Sequence, residues 1–289
     1  MIRALCVFLC LSLHSPAQDF EHVQAERAAT SLQYADGMVW AREGFLVFAD
    51  VLKHTVYRLD PGAPPKPTPT SDGGAQGLAY DSQARLYICE LLKRRVIRMD
   101  RHGKVETIAD SFQGRKLNSP NDIVVRKDGH IYFTDPAFGS ALDTRELDYN
   151  GIFHATPKGE LDVIAKWPTR PNGITLSADG KTLFVTDSDR HAVVAFDLAS
   201  HGAASNQRDL IKNIDGVPGG IRSDVNGRLY VGARGLDVYS AEGKLEQQLL
   251  GEEIVTNCAF GDNDLETLYV AGRKTIYRLR LGVKGALQY

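Results

Sequence analysis

Short stretches of β-branched and aromatic residues recur along the chain, and each follows a turn that contains Gly or Asp. Such stretches, bounded by turn residues, are typical of β-strands. We interpret the six most regular ones as the second strands of a repeated unit, at residues 46–50, 86–90, 131–135, 183–187, 229–233 and 268–272. A third strand follows in each unit, and residues 105–109 and 161–166 are the clearest fourth strands.

The repeat predicts an all-β, six-bladed β-propeller with four antiparallel strands per blade. Radial packing of such units leaves only short sheet edges exposed, which protects them from aggregation. The last unit ends near Leu281 without a fourth strand, whereas residues 21–33 precede the first unit with nothing to pair against. We therefore expect the N-terminal segment to close the ring as the outer strand of the last blade.

The first seventeen residues have the pattern of a secretory signal peptide: a charge at Arg3, an apolar run over 4–13 and small residues before Gln18. We expect cleavage near Gln18, one propeller domain over 18–289, and a secreted or periplasmic protein. An uncleaved anchor is the alternative, but the run is shorter than the roughly 20 residues that span a bilayer.

Alignment of the six units places one position at the start of each first strand, 14 or 15 residues before the end of the second strand. First strands of propeller blades line the central channel, so these side chains should meet on the axis. The positions are Asp36, Gln76, Asn121, Asn172, Gly219 and Asn257.

Carboxylate and amide oxygens are the ligands that calcium prefers, whereas zinc and copper favour the Cys and His that are absent from these positions. We therefore predict a hard divalent cation, Ca²⁺ or a similar ion, at Asp36, Asn121 and Asn172. The alternative is that Asp, Asn and Gly are turn residues that open strands in any propeller.

Four segments of the chain are distinctive: Asn-Ser-Pro-Asn-Asp-Ile-Val-Val at 118–125, the Asp-Gly turn and strand at 128–136, Arg-Pro-Asn-Gly-Ile at 170–174 and Thr-Asn-Cys-Ala-Phe-Gly at 256–261. These segments resemble the gluconolactonase, regucalcin and luciferin-regenerating-enzyme family. The resemblance implies a six-bladed propeller that binds calcium through a Glu, two Asn and an Asp, and that opens a sugar lactone. The two Asn ligands correspond to Asn121 and Asn172.

The chain departs from that pattern at two ligand positions. Asp36-Gly37 stands where the family has Glu-Gly, and Gly219 stands where it has an Asp that is both ligand and favoured general base. The remaining acids on the same face are Glu90, Asp122, Asp135 and Asp187. We predict Glu90 or Asp187 as the replacement base.

The alternative for these acids is that they accept hydrogen bonds from the Asn ligand amides, and for Asp135 and Asp187 we favour that alternative. The missing carboxylate also makes Gly219→Asp an informative change. We expect the new side chain to fit without steric conflict, provided that Gly219 has a negative φ.

The formal net charge of −2 and the lack of a basic block argue against nucleic acid and anionic membrane surfaces as partners. Cys89 and Cys258 lie in apolar strand patterns and are expected to be buried thiols. The function that fits best is a calcium-dependent lactonase acting on a small-molecule sugar lactone. A non-catalytic exported propeller that binds a metal or a sugar-like ligand on its axis is the alternative, and a protein-interaction scaffold is the third.

Overall fold

A computed structural model describes residues 20, 22–70, 72–139 and 141–287. The predicted signal peptide at 1–17 and its cleavage site lie outside the described residues. Apart from one short 3₁₀ turn, η1 (Val51–Lys53), and one helical turn, α1 (Ala141–Thr144), the described elements are β-strands. No helix within these residues is long and apolar enough to cross a membrane.

The strands form six blade sheets and one small additional hairpin. In chain order they are β1 (Ala25–Ala29), β2 (Ala35–Ala41), β3 (Phe45–Asp50), β4 (Thr55–Leu59), β5 (Lys66–Thr68), β6 (Ala75–Tyr80), β7 (Leu86–Glu90), β8 (Arg95–Met99), β9 (Val105–Ala109), β10 (Ser111–Phe112), β11 (Arg115–Lys116), β12 (Ile123–Val125), β13 (Ile131–Asp135), β14 (Asn150–Ala155), β15 (Leu161–Trp167), β16 (Pro171–Leu176), β17 (Thr182–Asp187), β18 (Ala192–Leu198), β19 (Ala204–Ile211), β20 (Ile221–Ser223), β21 (Leu229–Tyr239), β22 (Leu245–Ile254), β23 (Asn257–Gly261), β24 (Thr267–Gly272) and β25 (Thr275–Arg280).

The predicted six-bladed propeller is confirmed. Blades one to four are the four-stranded sheets β2–β5, β6–β9, β12–β15 and β16–β19, each with its strands in chain order. Every pair is antiparallel, as the hairpin connections require. The short β10–β11 hairpin lies between blades two and three.

Blade five differs in detail from the predicted pattern. The stretch expected to hold its second and third strands is the continuous strand β21, which pairs with β20 through its first part and with β22 through its second. The register shifts between Arg234 and Leu236, where Gly235 has a φ of +84°. A residue without a Cβ adopts this backbone conformation at little cost, so the strand turns at Gly235 without a loop.

The N-terminal segment closes the ring as predicted. Strand β1 pairs antiparallel with β25, with Ala25 opposite Leu279 and Arg27 opposite Tyr277. Blade six therefore has the order β1-β25-β24-β23. Because its outer strand comes from one end of the chain and its inner strands from the other, the first and last blades are held together by backbone hydrogen bonds.

The hydrophobic core is divided into six clusters, and each cluster lies between two neighbouring blades. Between blades three and four, for example, Tyr132 and Ile152 pack against Ile174 and Val194. Cys89 and Cys258 are free buried thiols within two of these clusters, as expected. Each blade thus buries both faces against its neighbours, which fixes the inner strands around the channel.

Candidate active site on the propeller axis

The predicted ligands meet in one cavity of about 560 Å³ at one end of the channel. Asp36, Asn121 and Asn172 all line it, together with Gln76, so four of the six axial positions come together there. Asp36 begins the channel-lining part of β2, and Asn172 does the same in β16. Asn121 lies two residues before the inner strand of blade three.

Asp36 is a buried carboxylate with two hydrogen-bond donors on one oxygen. Its Oδ1 accepts from Asn257 Nδ2 at 2.9 Å and from the Gly37 backbone N–H at 2.8 Å. Burial raises the pKa of Asp36 to about 6, and the two donors only partly offset that rise. Asn257, the axial residue of blade six, therefore orients Asp36 and is not among the residues that line the cavity.

The two asparagines are held by their own and by neighbouring blades. Asn172 Nδ2 donates to Ser188 Oγ at 3.1 Å, and that hydroxyl donates to the Pro218 carbonyl at 2.9 Å. No described residue donates a hydrogen bond to the side-chain oxygen of Asn172, so this oxygen is available as an acceptor. The Asn121 backbone donates to the Thr134 carbonyl and accepts from the Gly77 N–H, at 2.8 and 2.7 Å. The three predicted ligands thus offer one carboxylate and two amide oxygens to this cavity.

Below this ring, Arg222 crosses the channel from blade five. Its Nη1 lies 3.5 Å from Asp122 Oδ2, and its Nη2 donates to the Met38 carbonyl at 3.2 Å. Asp122 also accepts from the Ile174 backbone N–H at 3.2 Å. Burial raises the pKa of Asp122, and the Arg222 guanidinium opposes that rise. Blades one, three, four and five are linked through this pair, which explains why Asp122 does not line the cavity.

The acids at the ends of the second strands hold the loops that lead into the first strands. Asp135 accepts from the backbone N–H groups of Asn118 and Ser119, both at 2.7 Å. Burial raises the pKa of Asp135 to about 7, against those two donors. Neither Asp135 nor Asp187 accepts a hydrogen bond from an Asn121 or Asn172 amide within the described chain. The expectation that they orient those amides is therefore wrong, because both face the entry loops.

Glu90 and Asp187, the predicted general bases, are fully buried and are not among the residues that line the cavity. Glu90 pairs with Arg95 Nε at 2.5 Å. Asp187 accepts from Thr169 Oγ1 at 2.6 Å and from the Arg190 backbone N–H at 3.1 Å. The structure does not bring either acid together with Asp36, and their catalytic role stays a prediction.

A model of the SMP-30/Gluconolactonase/LRE-like region matches residues 34–273. The chain belongs to this family. It is 28% identical over 288 residues to the gluconolactonase of Zymomonas mobilis, with 88% of this chain and 80% of the relative covered. A solved gluconolactonase of Xanthomonas campestris is similar at a TM-score of 0.83 and 27% identity, over 90% of each chain. The regucalcin of Agrobacterium tumefaciens shares the fold at a TM-score of 0.75 and 17% identity, over 90% and 93% of the chains.

This member of the gluconolactonase-like family has no room for a side chain at Gly219. Its φ is outside the left-handed region, but a Cβ would lie 2.5 Å from the Thr256 backbone carbonyl oxygen. The Gly219 carbonyl accepts from Thr186 Oγ1 at 2.7 Å, and its N–H donates to the Gly232 carbonyl at 2.8 Å. The expectation that an Asp fits here without steric conflict is therefore wrong, because blades five and six approach each other through their backbones.

Two further polar residues line the cavity of this lactonase-like propeller and were missed from the sequence. Arg94 Nε donates to the Leu117 carbonyl at 2.6 Å and Nη1 to the Thr144 carbonyl at 3.1 Å. Asn118 Nδ2 donates to the carbonyls of Asp135 and Tyr149, at 3.0 and 2.9 Å. Asn118 belongs to the motif that carries the resemblance, so its position there was a usable signal, whereas nothing local distinguishes Arg94 from the basic residues beside it.

Proposed function

We propose that this protein is a metal-dependent hydrolase that opens a lactone, with calcium as the cation and a small lactone of the sugar type as the substrate. The observation that carries the proposal is the meeting of Asp36, Asn121 and Asn172 in one axial cavity. The relatives named gluconolactonase support the same reaction class.

Asp36, Asn121 and Asn172 would hold the cation, and water would complete its roughly six to eight oxygen ligands. The donor set fits a hard cation, since the Asn172 amide nitrogen is already engaged by Ser188 and leaves the oxygen free. When bound, the cation supplies Lewis-acid polarisation of the lactone carbonyl. Gly219 contributes no ligand, so more of the coordination falls to water than in relatives with a fourth side chain.

Asp36 is the carboxylate best placed to act as general base, because no other carboxylate of the described chain lines the cavity. Its Oδ1 is engaged by two donors, whereas Oδ2 accepts no hydrogen bond from the described residues. Burial raises the pKa of Asp36 to about 6 in the metal-free protein, and a bound cation would favour the ionised form that accepts a proton.

In the proposed reaction, a water oxygen bonds to the lactone carbonyl carbon while Asp36 accepts a proton from that water. The bond between the carbonyl carbon and the ring oxygen then breaks. The proton held by Asp36 passes to the departing ring oxygen, which gives an open-chain hydroxy acid and returns Asp36 to its ionised form. The earlier assignment of this role to Glu90 or Asp187 is the alternative within the same mechanism.

The proposal is tested by measuring hydrolysis of D-glucono-1,5-lactone with added calcium and after chelation, alongside a calcium titration followed by thermal melting. Asn121→Ala and Asn172→Ala should each weaken calcium binding more than tenfold, since each removes an oxygen ligand. Asp36→Asn should lower kcat by about a hundredfold or more. Asn226→Ala, on an exposed turn of blade five, is the matched control and should change neither calcium binding nor kcat.

Calcium binding without any hydrolysis would favour the second candidate, a non-catalytic binding propeller. The observation in favour of that candidate is Gly219, which removes the carboxylate found at this position in the family. A wild-type protein whose melting temperature does not respond to calcium would contradict the axial metal site itself.

We also propose that the protein is exported, because the charge at Arg3, the apolar run and the small residues before Gln18 match a cleavable signal. Export would place the enzyme in the periplasm or outside the cell. Mass spectrometry of the protein purified from the cell envelope fraction should give a mature chain that begins near Gln18, and an intact Met1 there would contradict cleavage.

A further inference from the structure

Exposed apolar side chains lie at the mouth of the axial cavity beside the exposed Thr144, whereas the predicted ligands Asp36 and Asn121 are buried. Leu52, Leu92 and Val217 line it and are 61%, 57% and 59% exposed. Asp36 and Asn121, on the same cavity, are buried. The difference in exposure places the polar side chains deep and the apolar ones at the opening. Phe138 also lines the cavity, and we call these four hydrophobic residues the apolar rim.

Single exposed hydrophobic residues are common on protein surfaces, but a group of them around one opening marks a binding site. The three aliphatic side chains come from separate loops, after β3, after β7 and before β20. Because these residues lie far apart along the chain, no single local feature of the sequence explains why all three are exposed. The cavity is also large, at about 560 Å³, which is within the range of about 300–1,000 Å³ that drug-sized ligands fill.

The apolar rim is held in place by the fold. Leu52 lies in η1, where the Val51 N–H donates to the Tyr34 carbonyl at 2.8 Å. The Leu92 N–H donates to the Gly73 carbonyl at 2.8 Å. Phe138 lies under the guanidinium of Arg170, 4.9 Å from the ring centre. Because the rim is ordered before a ligand arrives, its hydrophobic surface is available without a folding cost.

We propose that the preferred substrate is a lactone whose ring carries a hydrocarbon substituent, with the ester at the polar end of the cavity and the substituent against the apolar rim. This inference rests on the lactonase function proposed above, and it replaces the sugar-type substrate named there with a more apolar lactone. A sugar lactone carries a hydroxyl on nearly every carbon, so it would leave the rim in contact with water. A substituent of several methylene groups would instead remove that apolar surface from water on binding.

The first test compares kcat/KM for δ-valerolactone, δ-octalactone and δ-decalactone, which share one ring and differ only in a side chain of none, three or five carbons. We expect kcat/KM to rise about two- to threefold for each added carbon, and therefore at least thirtyfold across the series. A flat series, with hydrolysis present, would overturn the inference and leave the proposed function standing.

Variants of the rim residues test whether the rise of kcat/KM with side-chain length depends on the apolar rim. Leu52→Ser and Leu92→Ser should each reduce the ratio of kcat/KM between δ-decalactone and δ-valerolactone about tenfold. Leu245→Ser is the matched control, because Leu245 is 51% exposed on the outer strand of blade five and does not line the cavity. Equal losses in Leu245→Ser and the rim variants would contradict a role of the rim.

A binding measurement distinguishes the proposed lactonase function from the proposed apolar subsite. Piperidin-2-one and 6-pentylpiperidin-2-one are the lactam counterparts of the first and last lactones and resist hydrolysis. Calorimetry should show that wild type binds the pentyl lactam at least tenfold more tightly, and that Leu92→Ser loses this preference. If no lactone is hydrolysed but the preference remains, the proposed function fails and the apolar subsite stands. Equal affinity of wild type for the two lactams would overturn the subsite.

Discussion

Gly219 shows at the scale of one residue how close the blades approach each other on the channel side. We expect Gly219→Asp to lower the free energy of unfolding by about 1–3 kcal/mol, because its Cβ would press on the Thr256 backbone carbonyl, which cannot rotate away as a side chain could. Urea unfolding with and without calcium measures this change.

Gly251→Asp is the control for the Gly219 prediction. The nearest atom to its Cβ is Gln248 Oε1 at 3.3 Å, at the end of a flexible side chain, so the change should stay within about 0.5 kcal/mol. A Gly219→Asp protein as stable as wild type and with tighter calcium binding would show that the blade-five backbone yields more easily than its hydrogen bonds suggest.

Asp187 provides a second prediction at the residue scale. Asp187→Asn replaces one acceptor oxygen of a buried group that receives Thr169 Oγ1 and the Arg190 N–H. We expect a loss of stability of about 1–3 kcal/mol, and little change in kcat for the folded protein. A fall in kcat of a hundredfold at an unchanged melting temperature would instead restore Asp187 as the general base, and Glu90→Gln applies the same test to Glu90.

At the scale of elements, blade three contains a buried histidine pair. His130 on the turn before β13 and His154 on β14 have Nδ1 and Nε2 2.7 Å apart, and the Tyr132 ring is stacked on His154. Burial, and after it the neighbouring His130, lower the pKa of His154 to about 4. Burial lowers the pKa of His130 as well. The pair is therefore neutral in the folded protein.

The charges around this pair have mixed effects. Arg126 lowers the pKa of both histidines, Asp128 raises both, and Asp162 raises that of His154. His201 lowers the pKa of His130. Because these contributions oppose one another, burial remains the largest cause of the lowered pKa values of both histidines. Protonation of the buried pair should therefore disrupt the packing between β13, β14 and the loop that contains Gly202.

The folded-state pKa of His154 is below the unfolded value of about 6.5, so the unfolded chain binds more protons between pH 6.5 and 4. The contribution of the neutral His154 to the free energy of unfolding is fully present above pH 6.5. It falls as the pH drops from 6.5 towards 4, by at most about 2 kcal/mol at pH 5. Urea midpoints at pH 7.5 and 5.0 measure the loss. His154→Phe should reduce this pH dependence, whereas the exposed His102→Gln should retain it.

At the scale of the whole molecule, ring closure depends on the first strand. Removal of residues 20–33 would delete β1, leave β25 with an open edge, and take Phe20 out of the cluster between blades five and six. We expect the truncated protein to be insoluble or to melt at least 10 °C lower, in line with the loss of several kcal/mol. A chain that begins at Gln18 is the control, and a truncated protein with an undiminished melting temperature would contradict closure by β1.

Much of the fold could be predicted from the sequence because a blade is a local structure. Alternation and turn residues mark each strand, and the residues that pair within a blade are close along the chain. The repeat also aligned Asp36, Asn121 and Asn172 on one face, since equivalent positions of equivalent blades face the same axis. The missing outer strand of blade six followed from a simple count of strands.

The contacts between blades could be decided only by the tertiary structure. Strand alternation tells which side a residue faces but not what lies opposite it, so it could not show that Arg222 reaches Asp122 or that Thr186 donates to the Gly219 carbonyl. The apolar rim is built from four distant loops and has no local signature. The clearance at Gly219 is set by the Thr256 carbonyl of the next blade, because a steric limit of a few tenths of an ångström depends on how two backbones pack and not on the residue itself.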